Sequence, residues 1–328
     1  MSEIRRAAIL GTGSYAPTRV RTNEEIAAGC SSNAEWIRDK LGISERRIAL
    51  DGELTSDMAV EAARKALEAA GLEPDDLDLI IVATATPDRL APSTACIVQG
   101  KLGARNAAAF DVNAVCSGFM FGMATAVNYV VGMGFRRVLV VGADCFSRFT
   151  DWTRRDAPFF GDGAGAAVFG PATGDEGFRG FTLGSDGSGR NAFTIAAGGS
   201  EHLPEQISGS PELRHFQMDA QDVYRTATRV LPLAIRDVLE KCGMQVTDID
   251  HMVPHQASMN VLRTVAAELS FPLHKLHTNM DRYANTSSAT IPLLLDESLR
   301  SGRIGKGENV LFAAVGSGWT WGAALYHS

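Results

Sequence analysis

Cysteine is sparse in this chain of 328 residues: Cys30, Cys96, Cys116, Cys145 and Cys242 are scattered, odd in number and free of any Cys-x-x-Cys pair. That excludes a disulfide framework and a structural zinc site, and it fits a reducing, cytoplasmic compartment. Excess positive charge is missing as well. The net charge of -7 and pI near 5.5 offer nothing to a polyanion, so no nucleic-acid partner is expected. The opening Met-Ser-Glu-Ile-Arg-Arg lacks a signal-length apolar core and a small-residue cleavage site, which argues against secretion.

A long uncharged run extends from Val112 to Phe135. Its length would span a bilayer. Its glycines, with Asn113, Ser117, Thr125 and Asn128, and the buried-strand pattern that follows at Arg136-Arg-Val-Leu-Val-Val-Gly make it the central helix of a large core instead, and no membrane is expected. Nucleotide-binding features are incomplete. Gly11-Thr-Gly-Ser-Tyr-Ala16 is followed by Pro17, which blocks the helix that would cradle a pyrophosphate. Gly161-Asp-Gly-Ala-Gly-Ala has no P-loop lysine and flows into a strand, so tight backbone packing accounts for its glycines. His251 and His255 lie in a strand-like stretch broken by Pro254 and do not converge on one metal.

What is present is an ordinary globular composition, 45% hydrophobic and 21% charged, arranged as alternating helical and strand patterns. Ser32-x-x-Glu35 reads as a capping box opening a helix around Trp36 that Gly42 closes; Thr55-Ser-Asp opens a second helix, Met58 to Ala70, closed by Gly71. Leu77-Asp-Leu-Ile-Ile-Val-Ala-Thr and Val138-Leu-Val-Val-Gly read as buried strands, giving α/β architecture. The two halves also match. Gly71 to Asp78 followed by a strand pairs with Gly243 to Asp250 followed by a strand, and Val138-Leu-Val-Val-Gly pairs with Val310-Leu-Phe-Ala-Ala, an offset of 172 in both cases (250 − 78, 310 − 138). Duplication at half-chain scale follows, with residues 1–173 and 174–328 as two units meeting near the Pro171 to Glu176 turn cluster. Ligand sites in such folds tend to lie where the halves meet.

Four segments carry candidate chemistry. Cys116, in Asp111-Val-Asn-Ala-Val-Cys-Ser-Gly-Phe, stands between a strand and the start of the uncharged helix. Backbone N–H groups there favour a thiolate and can hold an oxyanion, although buried cysteines are commonly structural. His255, in Val-Pro-His-Gln-Ala-Ser, falls where a strand ends and a helix begins. Asn285, in Arg-Tyr-Ala-Asn-Thr-Ser-Ser-Ala, feeds an amphipathic helix and is equally readable as a turn residue or N-cap. Gly316-Ser317-Gly318 follows the second repeated strand and can present N–H donors.

Taken together, Asn-x-x-Cys-Ser-Gly-Phe, Gly-Asp-Gly-Ala-Gly-Ala, Pro-His-Gln-Ala, Ala-Asn-Thr-Ser-Ser-Ala and Gly-Ser-Gly-Trp-Thr-Trp-Gly-Ala-Ala-Leu closely resemble the β-ketoacyl-acyl-carrier-protein synthase III family over essentially the whole chain. The resemblance implies the thiolase-like fold, two duplicated βαβ halves in five layers α-β-α-β-α, assembled as a homodimer. It implies an acyltransferase in which an acyl-CoA acylates Cys116. Decarboxylative Claisen condensation with malonyl-acyl-carrier protein or malonyl-CoA then gives a 3-oxoacyl thioester, CoA and carbon dioxide. His255 and Asn285 would bind the thioester carbonyl, and the N–H groups of Cys116 and Ser317 would hold the tetrahedral oxyanion. No cofactor is implied, coenzyme A being part of the substrate.

Further roles carried by the resemblance place Trp36 and Arg155 on the two faces of the CoA adenine, with Gly318 among the substrate-binding residues. Departures from the family pattern matter too. Ser258, Asn260 and Ala267-Glu268 replace residues that dock acidic carrier protein, leaving Arg225, Arg229 and Arg263 as partial substitutes. Ala91 stands where a phenylalanine narrows the acyl pocket of acetyl-specific members, and Val315 replaces another family phenylalanine beside the active site, so a roomier or differently shaped pocket is expected, suited to fatty-acid initiation or to priming a polyketide or biotin-precursor pathway. Acyl transfer to a hydroxyl or amine without condensation is the alternative. A non-catalytic scaffold would have no use for the complete set of groups.

Overall fold

A computed structural model describes residues 6–328; the first five, part of the segment read for a secretion signal, lie outside the described residues. Apolar runs form the expected buried strands. β1 (Ala7–Tyr15), β2 (Leu79–Ala83), β3 (Ala108–Val112), β4 (Val138–Asp144) and β5 (Gly163–Pro171) make one sheet, ordered β1-β5-β4-β2-β3. β6 (Gly177–Ser185), β7 (His251–Pro254), β8 (Asn309–Gly316) and β9 (Thr320–His327) make another, ordered β7-β8-β9-β6.

Strand senses match position by position. β2 is parallel to β4, β4 antiparallel to β5 and β5 antiparallel to β1; likewise β7 is parallel to β8, β8 antiparallel to β9 and β9 antiparallel to β6. The counterpart of β3 shrinks to one parallel bridge, Met252 with Leu276. The repeat extends to hydrogen bonds. Asp78 donates its N–H to Arg137 O and accepts the Arg137 N–H on its carboxylate; Asp250 does the same with Asn309, at the same offset.

Six long helices complete the layers: α1 (Thr55–Ala70), α2 (Thr94–Leu102), α3 (Gly118–Met133), α4 (Ala220–Lys241), α5 (Met259–Glu268) and α6 (Thr290–Arg300). Alternation along β4 shows how they stack. Val138 and Val140 pack with α3, α6 and the second sheet's Val253, Val310 and Phe312, whereas Leu139, Val141 and Ala143 pack against α1 and α2. The far face of the second sheet covers α4 and α5 through Leu311, Ala323, Val230, Ile235 and Val265. The order is therefore α-β-α-β-α. The uncharged stretch becomes α3, whose Phe119, Met120, Met123 and Val130 fill the space between the sheets.

Glycine allows the close layering. A Cβ at Gly13 would fall 2.3 Å from Ala62 O of α1, and one at Gly165 would fall 2.5 Å from Leu293 N of α6. One local expectation needs correction. The helix at Trp36 begins at Ala34, so its N-cap is Asn33, whose side chain accepts the Trp36 N–H at 2.7 Å. Glu35 then falls at the second helical position, one short of where a capping box needs it, and the Ser32 hydroxyl has no partner among the described residues.

Candidate active site

Cys116 sits in a single tight turn, Val115–Ser117, that runs directly into α3. Val115 takes φ +46°, a left-handed conformation that is strained for a β-branched residue. The turn is pinned from the second sheet. Ser117 Oγ donates to Ala114 O at 2.8 Å and lies 2.7 Å from Thr320 Oγ1. A Cβ on Gly316 would fall 2.5 Å from Ala114 O and 2.9 Å from Ser117 N, so the Gly316-Ser317-Gly318 turn rests against the cysteine turn only because glycine stands there. Gly318 closes it at φ +89°. The Ser317 side chain is tied to Phe193 O, and its N–H has no acceptor among the described residues.

His255 follows β7 and is anchored by its N–H to Ala313 O at 2.8 Å. Asn285 belongs to the loop before α6. It is fixed on both sides of its backbone, its N–H donating to Phe159 O at 3.0 Å and its O accepting from Gly161 N at 3.1 Å. Asn285 Oδ1 accepts the Ser287 N–H at 2.8 Å, which leaves the amide NH2 as the group available to donate. Both side chains are 4% exposed and line the same cavity as Cys116.

Burial controls the protonation of this cluster. It pushes the Cys116 thiol up to about 12; the Asp144 charge adds to the rise, while the neighbouring Ser287 hydroxyl and Asn285 amide oppose it. Burial also lowers His255 to about 4. Near pH 7 the pair is therefore a thiol and a neutral imidazole, not an ion pair. A neutral imidazole is suited to donating an N–H to a carbonyl that gains charge.

The cavity holds about 850 Å³ and runs from Cys116 outward to Trp36. Its apolar wall, Phe159, Phe160, Phe193, Met218, Val315 and Trp319, was not foreseen as a set, because it is assembled from four separate segments. Phe160 stacks on Phe146 at 4.6 Å, and Phe193 on Phe216 at 5.6 Å, which stiffens that wall. At the mouth, Arg155 lies over the Trp36 ring, 5.5 Å from its centroid. Arg154 is held by Asp156 at 2.8 Å, leaving Arg155 as the partner of the indole. Lys40 and Tyr224, absent from the sequence reading, also line the mouth.

Other expected site residues fall elsewhere. Ala91 is on an exposed loop and does not reach the cavity of its own chain, because that loop leads outward before α2. Gly318 shapes the turn without lining the cavity. Arg225 and Arg229 on α4 and Arg263 on α5 are exposed beside the mouth, with Arg225 engaged by Asp222. His251 turns away to Glu308 and His277, each at 3.0 Å.

Comparisons with known proteins establish the family and the fold. The family model of 3-oxoacyl-[acyl-carrier-protein] synthase III matches residues 110–187, and that of its C-terminal region matches residues 239–328. A β-ketoacyl-[acyl-carrier-protein] synthase III from Caldanaerobacter subterraneus subsp. tengcongensis is 44% identical over 326 residues, covering 99% of this chain and 98% of that protein. The crystal structure of 3-oxoacyl-[acyl-carrier-protein] synthase III from Aquifex aeolicus superposes with a TM-score of 0.91 at 35% identity, covering 98% of this chain and 100% of the other. The priming β-ketosynthase of the R1128 polyketide pathway superposes equally well, 0.91 at 34% identity, covering 100% and 98%. The chain belongs to the β-ketoacyl-[acyl-carrier-protein] synthase III family and is a condensing enzyme of that type, with the thiolase-like fold.

Proposed function

We propose that the chain is an acyltransferase that loads an acyl group from acyl-CoA onto Cys116 and condenses it with a malonyl thioester. The Cys116 sulfur attacks the acyl-CoA carbonyl, and the CoA sulfur leaves with the proton that the thiol gives up. The malonyl thioester then enters. Loss of carbon dioxide leaves an enolate whose oxygen accepts hydrogen bonds from His255 and Asn285. The enolate carbon attacks the acyl-Cys116 carbonyl; the oxyanion rests on the N–H groups of Cys116 and Ser317, and collapse expels Cys116 and releases the 3-oxoacyl thioester.

One observation carries the reading: a half-buried cysteine at a helix start lines one cavity with a neutral histidine and a fixed asparagine amide. Charge developing on the enolate needs such donors, which is why no metal or organic cofactor enters this reading. Transfer to a hydroxyl or amine would have no use for both.

Trp36 and Arg155 are read as the adenine clamp, Val315 with the aromatic wall as the acyl pocket, and Arg225, Arg229 and Arg263 as a reduced docking face for malonyl-carrier protein, malonyl-CoA being the other donor. A cytoplasmic homodimer is the proposed assembly. The test is intact-mass analysis after incubation with a panel of acyl-CoAs. Wild type should gain one acyl mass that Cys116→Ala does not; no Cys116-dependent gain with any chain length would overturn the assignment.

A further inference from the structure

Among the described residues, four non-glycine positions have positive φ, and three of them belong to the active-site segments: Val115 precedes Cys116, and Ala284 (+57°) and Ser287 (+52°) lie on either side of Asn285 in its loop. Each such position costs on the order of 1–3 kcal/mol and persists only where its surroundings hold it. Phe159 and Gly161 hold the 284–288 loop at Asn285; at its Ser288 end the holding group is Asp144, the last residue of β4, whose side chain is wholly buried.

Asp144 is bound by six donors. Oδ1 accepts the Thr84 hydroxyl (3.1 Å), the Ala85 and Thr86 N–H groups (2.8 and 3.1 Å) and the Thr86 hydroxyl (2.9 Å). Oδ2 accepts the Ser288 N–H at 3.0 Å and its hydroxyl at 2.6 Å. The carboxylate thereby ties the turn after β2 to the residue next to Ser287. Loop and strand meet closely here, since a Cβ on Gly142 would fall 2.2 Å from Ser288 O. Burying a charge without a counter-ion is costly, and a neutral side chain of the same size would be cheaper to bury. Only a carboxylate accepts from all six donors at once.

We propose that Asp144 is a positioning residue for condensation: it clamps Ser288 and so holds the strained loop with Asn285 and Ser287 facing the Cys116 sulfur. The proposal rests on the reading of Cys116 as nucleophile. Ser287 Oγ is buried beside the Cys116 sulfur with no other hydrogen-bond partner among the described residues, as expected of a group held for the reacting centre.

The Asp144 charge also disfavours a thiolate at Cys116, which separates positioning from mere structural support. Asp144→Asn keeps the size, removes the charge and sets an NH2 group against the donors. Condensation kcat should fall about 10- to 100-fold with KM changed less, because misplacement of the donors is the cause. Iodoacetamide alkylation of Cys116 at pH 7.5 should instead speed up, its pH profile displaced to lower pH. His255 also faces the sulfur, and Lys40, Arg154, Arg155, Asp156 and Tyr224 line the cavity further out, so the same displacement should appear in a His255→Gln background.

Unchanged condensation, or alkylation slowed together with condensation, would overturn the proposal. Ser288→Ala decides the matter if Asp144→Asn does not fold: it removes one donor and keeps the charge, so condensation should fall about 10-fold without faster alkylation. Wild-type condensation in that variant would overturn the proposal. Absence of Cys116-dependent acylation in the wild type would overturn the nucleophile reading itself, a result read separately by mass.

Discussion

Burial lowers His255 from 6.5 to about 4, and that displacement is equivalent to about 3 kcal/mol. The native state then binds fewer protons than the unfolded chain between these values. The stability tied to neutral His255 is therefore fully present above pH 6.5 and is lost as pH falls through 4. His255→Gln is the informative perturbation, because the amide keeps a donor but does not titrate. Urea unfolding at pH 7 and pH 4 should show wild type losing about 3 kcal/mol more than the variant. His277 is also lowered to about 4 by burial, but it is common to both proteins and cancels in the comparison. Histidine-selective NMR, with the His255 signal assigned by its absence from the variant, should show no titration near pH 6.5. A His255 midpoint at or above 6.5, or identical pH dependence of stability in the two proteins, would refute the neutral-imidazole account.

Three further outcomes follow from the same geometry. Because burial pushes the Cys116 thiol up to about 12, its alkylation rate should rise tenfold per pH unit from pH 6 to beyond 9; a plateau below pH 7 would show a thiolate that the site does not favour. Val315→Phe should shift preference to shorter acyl-CoAs, by about 4-fold for each methylene excluded, and steady-state kinetics across chain lengths would detect an unshifted optimum. Trp36→Ala should raise the KM for acyl-CoA roughly 10-fold while decarboxylation of the malonyl thioester at saturation changes little; an unchanged KM would remove the indole from the adenine site.

Much of the fold was legible because it is written locally and then repeated. Asp78 and Asp250 each sit before a buried strand, and the same local pattern produces the same pair of hydrogen bonds, one between backbones and one from a backbone N–H to the carboxylate. Cys116, His255, Asn285 and the Gly316 turn were legible as short motifs at element ends, where the backbone alone sets direction. The aromatic wall was not, since Phe159, Phe193, Met218 and Trp319 meet only after distant segments fold together. Asp144 was silent for the same reason: it is one acid at the end of a buried strand, and its meaning lies in Thr84, Thr86 and Ser288. Ala91 lies on an exposed loop outside the cavity of its own chain, a placement that its position along the sequence does not disclose. Ser32 lost the cap to Asn33 through a one-residue difference in where the helix starts.

The central claim is that His255 and Asn285 carry the charge of decarboxylation while Cys116 carries the acyl group. Carbon dioxide release from a malonyl thioester, measured on enzyme already acylated at Cys116, tests it most directly. The account predicts a loss of about 10²- to 10³-fold in His255→Ala and in Asn285→Ala, with Cys116 acylation retained in both. Release at the wild-type rate in both variants would contradict it.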